Sequence, residues 1–191
     1  MLFPSHKHMP RCGGVVTPWL GNALMRITGW RFEGAPPDVP RLVLAVAPHT
    51  SNWDFVIGVI AKWALDLKLT FFGKHTLFVW PLSLWMRSLG GIPVDRSASH
   101  GVVGEMIGAF REREVLWFAL APEGTRKKVA RFKSGFLHIA AGAEVPVVLI
   151  YFDYANRVIG FGPVLHPAGD VDADLVYVED YYRVVRGKKA K

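Results

Sequence analysis

A histidine and an aspartate, His49 and Asp54, stand five positions apart in APHTSNWDF, residues 47 to 55. An imidazole with one nitrogen held by a carboxylate keeps its other nitrogen free to take a proton, and that pairing activates a hydroxyl. No serine nucleophile is required, because the hydroxyl can belong to a substrate. On one continuous helix, positions five apart diverge by about 140°, so the pair meets only if a turn intervenes. Thr50, Ser51 and Asn52 are turn and N-cap formers. The pattern therefore predicts His49 in a loop and Asp54 in the first turn of the next helix, an end that also favours a negative charge.

A second polar group is PEGTRKK, residues 122 to 128. Gly124 lets the backbone approach a ligand closely. Arg126 offers a planar fork matched to phosphate, with Lys127 and Lys128 beside it. Arg96, in a separate loop, is placed to clamp the same anion; the bland alternative for both is a solvated basic surface. Glu123 either pairs with one of these arginines or acts on a ligand directly. His75, His100, His138 and His166 have no evident partners and are read as surface or core residues. His6 and His8 flank Lys7, a weak metal-binding pattern better read as a mobile tail; no metal site is expected.

These groups need elements to hold them. Apolar runs predict strands at 41–47, 69–74, 92–94, 114–121, 145–152 and 158–165. Helical patterns cover 17–30, 53–67, 99–112, 134–142 and the last turns within 172–185. Strand followed by helix, repeated, argues an α/β layered fold: a mainly parallel central sheet flanked by helices. The carboxyl ends of parallel strands share one edge, where ligands of open α/β sheets bind. The loops after 41–47, 92–94 and 114–121 therefore converge there. A flexible tail is expected at 1–16 and a single domain at 17–191, with 17–31 a candidate interfacial helix. That helix opens with Thr17 and Pro18 and aligns Trp19, Leu20, Ala23, Leu24, Ile27 and Trp30 on one stripe, which either packs on the core or lies on a membrane. Residues 76–89, with Pro81 as a breaker, form either core or an exposed apolar wall for a lipid.

Composition narrows the partners. Of 191 residues, 51% are apolar, with 7 Trp and 12 Phe, which excludes a disordered chain. The net charge of +7 favours anionic partners. Nucleic acid is not favoured, because the basic residues follow strand ends and no recognition module is present. Cys12 is the only cysteine, so no internal disulfide or cysteine metal cluster forms. The first residues lack the apolar core of a secretory signal. The best apolar stretch, VPVVLIYF, has eight residues, against about 20 needed to cross a bilayer. The expected location is peripheral, on the cytoplasmic face of a membrane.

Taken together, the motifs resemble the glycerolipid acyltransferases of the 1-acylglycerol-3-phosphate acyltransferase type. Their N-H-x4-D block is met by His49 to Asp54, G-x-x-x-x-R by Gly91 to Arg96, F-P-E-G-T-R by Pro122 to Arg126, and the V-P-V block by Val145 to Val147. Pro48 stands where the family has Asn, and Ala121 where it has an aromatic residue. The resemblance implies a glycerol-3-phosphate acyltransferase-like fold and transfer of an acyl chain from a thioester to a hydroxyl. The co-substrate would be acyl-CoA or acyl carrier protein thioester, with no bound cofactor. His49 would be the base and Asp54 its orienter, while Arg96, Glu123, Gly124, Thr125 and Arg126 would hold the acceptor's anion. The default acceptor is 1-acylglycerol-3-phosphate; another lysolipid or a glycolipid is the alternative. Rival readings are a hydrolase or CoA-independent transacylase on the same site, and a membrane-binding protein without catalysis.

Overall fold

The apolar run at 41–46 becomes the central strand of the sheet because it is buried on both faces. The computed structural model describes residues 6–94, 99–127, 129–167, 169–185 and 187. In chain order the elements are α1 (Val16–Thr28), β1 (Arg31–Glu33), β2 (Arg41–Val46), α2 (Asn52–Ala64), β3 (Leu69–Lys74), α3 (Leu82–Ser88), β4 (Gly91–Val94), α4 (Ser99–Glu112), β5 (Leu116–Leu120), α5 (Gly135–Ala143), β6 (Val147–Asp153), β7 (Val158–Leu165) and α6 (Val171–Tyr182). A single 3₁₀ turn, His75–Leu77, follows β3. The seven strands form one sheet in the order β1-β7-β6-β2-β5-β3-β4.

β2 pairs in parallel with β5 on one side and β6 on the other, and β3 with β5 and β4. Side chains alternate across the sheet, as the two-residue period of a strand requires. Val43, Ala45, Phe118, Val147 and Leu149 face the layer of α4, α5 and α6, whose Phe110, Phe136, Leu137 and Val178 complete that core. Leu42, Leu44, Trp117, Val148 and Ile150 face α1 and α2, meeting Met25, Ile57, Ile60 and Ala61. The result is the layered α/β architecture with a mainly parallel sheet that the strand–helix alternation implies.

One pair breaks the parallel pattern: β7 runs antiparallel to β6. Only residues 154–157 separate them, and so short a link joins neighbouring strands only as a hairpin. Asp153 stabilises the turn, its Oδ1 accepting the amides of Ala155 at 2.9 Å and Asn156 at 3.1 Å. The three-residue β1 was not visible in the sequence pattern; it pairs in parallel with β7 at the sheet's edge.

Two expectations about the amino-terminal part change. Residues 6–14, assigned to the flexible tail at 1–16, are tied down. Asp38 accepts the amides of Lys7, His8 and Met9, Asp66 accepts those of Gly13 and Gly14, and Met9 is buried in the core. His8 also pairs with Asp38, Nδ1 to Oδ2, at 3.2 Å. Helix α1 begins one residue before Thr17 and has no side-chain cap at its amino end. It packs on α2 through Gly21 and Met25 and splits the predicted apolar stripe: Trp30 is buried and Leu24 packs on the core, whereas Trp19 is 71% and Ile27 80% exposed.

Candidate active site

β2 delivers the chain to the carboxyl edge of the sheet, and Ala47, a cis peptide to Pro48, His49, Thr50 and Ser51 carry it over into α2. Ser51 is the N-cap: its hydroxyl accepts the amide of Trp53 at 3.2 Å, and the Asp54 carboxylate reaches back to the amide of Ser51 at 2.8 Å. This reciprocal capping satisfies donors that a helix start leaves unpaired. The same carboxylate serves His49. Asp54 Oδ2 accepts from the Thr50 amide at 2.7 Å and lies 3.2 Å from His49 Nδ1. With Nδ1–H directed to the carboxylate, the lone pair belongs to Nε2. The Asp54 side chain is 2% exposed and that of His49 25%, so the acid is shielded while the imidazole meets whatever enters.

Asp54 Oδ1 accepts from the Tyr154 hydroxyl at 2.6 Å. Burial opposes ionisation of Asp54, but the hydrogen bonds from His49, Tyr154, Ser51 and Thr50 outweigh it and hold the carboxyl below its ordinary range. Burial, then the bond to Asp54 and its charge, drives the Tyr154 phenol far upward, so the hydroxyl remains a donor. Trp30 backs Tyr154 edge-on at a centroid distance of 5.0 Å. Sequence reasoning missed Tyr154. The available signal was its position directly after β6, a strand parallel to β2 and beside it, whose end must share the same edge.

Of the second polar group, Glu123 has the clearest place. It is 3% exposed, and its Oε1 accepts the backbone N–H of His49 at 2.8 Å. Expected among the anion-binding residues, it anchors the loop that carries the histidine. Gly124 adopts φ +64°, its amide donating to Ala121 at 3.0 Å in a tight turn. A Cβ there would sit 3.1 Å from the Lys133 side chain, so Lys133, also missed, lies across the turn. Thr125 Oγ1 accepts the amide of Lys127 at 3.3 Å, a local turn contact. Arg126 and Lys127 are exposed, and among the described residues the Arg126 guanidinium makes no hydrogen bond or ion pair. Arg96 and Lys128 lie outside the described residues. β3 brings one more cation to this edge: Lys74, paired in register with Val94 at the end of β4.

The edge thus brings together a proton acceptor with a charged orienter, a buried anchor beneath it, and exposed cations at the ends of neighbouring strands. That set suits proton removal from a hydroxyl close to an anion.

Comparison with known proteins agrees in fold and family. The chain resembles the crystal structure of the 1-acyl-sn-glycerophosphate (LPA) acyltransferase PlsC from Thermotoga maritima, with a TM-score of 0.59 and 21% identity over 91% of this chain and 80% of that one. No curated protein matches significantly by sequence. The family model described as Acyltransferase matches residues 36–153, a span that holds His49, Asp54 and Glu123 and stops one residue short of Tyr154. The chain belongs to the Acyltransferase family and is an acyltransferase enzyme.

Proposed function

We propose that the protein transfers a fatty acyl chain from an acyl thioester, on coenzyme A or acyl carrier protein, to the hydroxyl of a phosphate-bearing lysolipid. The default acceptor is 1-acylglycerol-3-phosphate. The observation that supports this most is the His49–Asp54 pair at 3.2 Å, with Nε2 left as the available base. His49 Nε2 removes the proton as the acceptor oxygen attacks the thioester carbonyl. The ionised Asp54 steadies the imidazolium. Collapse of the tetrahedral intermediate breaks the C–S bond, and the departing thiolate takes the proton from His49. A free thiol has a pKa of about 8.5, which makes it a good leaving group. No covalent enzyme intermediate is required. Arg126 and Lys127, with Arg96, hold the acceptor's phosphate. The Thermotoga maritima structure, an LPA acyltransferase, supports this acceptor over a glycolipid.

The reading also places the protein on an anionic membrane surface. Among the described residues no helix is long and apolar enough to cross a membrane. Exposed apolar side chains gather on α1 (Trp19, Ile27) and around α3 (Val79, Trp80, Leu84). Such projections suit peripheral contact with lipid.

The test is an acyl-transfer screen with labelled acyl-CoA and acyl carrier protein thioester against lysolipids with and without phosphate. His49→Ala should lose about 10²–10⁴-fold in rate, the usual contribution of a general base, at unchanged thermal stability. Arg126→Ala should raise KM for the phosphate-bearing acceptor and leave a neutral acceptor nearly unaffected. Equal losses on both acceptors would refute the anion role, and full activity in His49→Ala would refute the base.

A further inference from the structure

A second polar cleft lies at the opposite edge of the sheet, where β3 and β4 begin. It has a volume of about 410 Å³ and is lined by Arg11, Lys62, Lys68, Thr70 and Arg87, with no carboxylate in its wall. Lys62 is in the last turn of α2, ten residues beyond Asn52. At 1.5 Å per residue that is about 15 Å along the helix from the His49 loop, so the cleft is separate from the catalytic edge.

Lys62 is the informative residue. It is only 9% exposed, yet among the described residues its ammonium group makes no hydrogen bond or ion pair. Its stem is buried while the ammonium nitrogen keeps contact with the open cleft, so the charge is presented to whatever enters it. Asp66, four residues further along the chain, does not serve it: its carboxylate accepts the amides of Gly13 and Gly14, at 3.0 and 3.3 Å, and does not line the cleft. Arg87, on α3, lies with its guanidinium carbon 5.7 Å from the centre of the Phe78 ring. Its position is thereby restrained at the rim. Lys68 adds a third cation and Thr70 a hydroxyl donor. The volume is within the range of small-molecule sites, roughly 300–1,000 Å³.

We propose that this cleft binds a phosphate-bearing anion, with the Lys62 ammonium as its central contact and Lys68 and Arg87 closing around the oxygens. The shared chemistry is a phosphate monoester or diester. Its source is either the headgroup of an anionic phospholipid or a small phosphorylated solute. The site is independent of the acyl-transfer reading, and its test uses no activity measurement.

Two binding experiments on the full chain separate the sources: calorimetric titration with inorganic phosphate, and flotation with vesicles of phosphatidylglycerol against vesicles of phosphatidylcholine. Wild type is compared with Lys62→Met, which retains much of the side-chain bulk without the charge. A second comparison is the double variant Lys68→Gln/Arg87→Gln at less buried positions. Arg126→Ala controls for phosphate held at the catalytic edge. Loss of at least ten-fold in phosphate affinity in the cleft variants, with Arg126→Ala retaining it, assigns a small phosphate ligand. Loss confined to phosphatidylglycerol vesicles assigns the headgroup. If Lys62→Met fails to fold, the double variant decides by the same readings. Cleft variants that bind as wild type in both experiments, or phosphate binding abolished by Arg126→Ala alone, overturn the proposal.

Discussion

Asp54 holds four donors at once, and this economy defines the candidate site at the scale of single residues. One carboxylate closes the start of α2, orients His49 and accepts the Tyr154 hydroxyl. Removing the phenolic oxygen leaves Oδ1 without that donor, so Tyr154→Phe should raise the Asp54 pKa and lower kcat by roughly 3–10-fold, the effect of about 1 kcal/mol. KM for the acceptor should stay constant, and the acid limb of the kcat profile should move upward; a KM effect with no pH shift would argue against positioning. The same depression predicts acid sensitivity. A carboxyl whose folded-state pKa lies below its ordinary value of 3.8 stabilises the fold above that value. The contribution is lost as pH falls through the lower, folded value. The Tm gap between wild type and Asp54→Asn should therefore be full at neutral pH and narrow below about pH 4.

At the scale of elements, the arrangement depends on how closely helices and loops approach. Gly21 of α1 lies against α2 so tightly that a Cβ would come within 2.3 Å of the Ala64 backbone nitrogen. Because the obstacle is backbone, no rotamer change relieves it. Gly21→Ala should destabilise the protein by about 1–3 kcal/mol, read as a lower midpoint in urea unfolding. His49→Ala, by contrast, should leave that midpoint nearly unchanged. Glu123 acts at the same scale, since it joins the turn after β5 to the loop after β2. Its carboxylate was read in the sequence as part of an anion-binding block. A buried acid accepting an amide 74 positions away is invisible until the two strands are set side by side.

For the whole molecule, the question is how apolar surface is distributed. Trp80 is 82% exposed, Trp19 71% and Leu84 66%, while both faces of the sheet are covered by helices. Exposed tryptophans on a chain of net charge +7 suit an anionic interface. Trp19→Ser and Trp80→Ser should reduce sedimentation with phosphatidylglycerol vesicles several-fold without lowering Tm, since neither side chain is in the core. Unchanged vesicle binding in the double variant would remove these side chains from any membrane contact.

The sequence by itself determined the layered α/β class, the main strands, and the loop-then-helix arrangement at His49 and Asp54. These are local facts: apolar run length, turn formers and helix caps act over a few residues. Tertiary structure decided the rest. It set β7 antiparallel through a short hairpin, left Trp19 and Ile27 of the α1 stripe outward while Gly21 met the α2 backbone, and tied residues 6–14 to Asp38 and Asp66. It alone brought Tyr154 to Asp54 and Glu123 to His49, and set Lys62 in a cleft without an acid. Each of these contacts joins separate elements, and no local propensity encodes which distant groups a sheet's strand order will make neighbours.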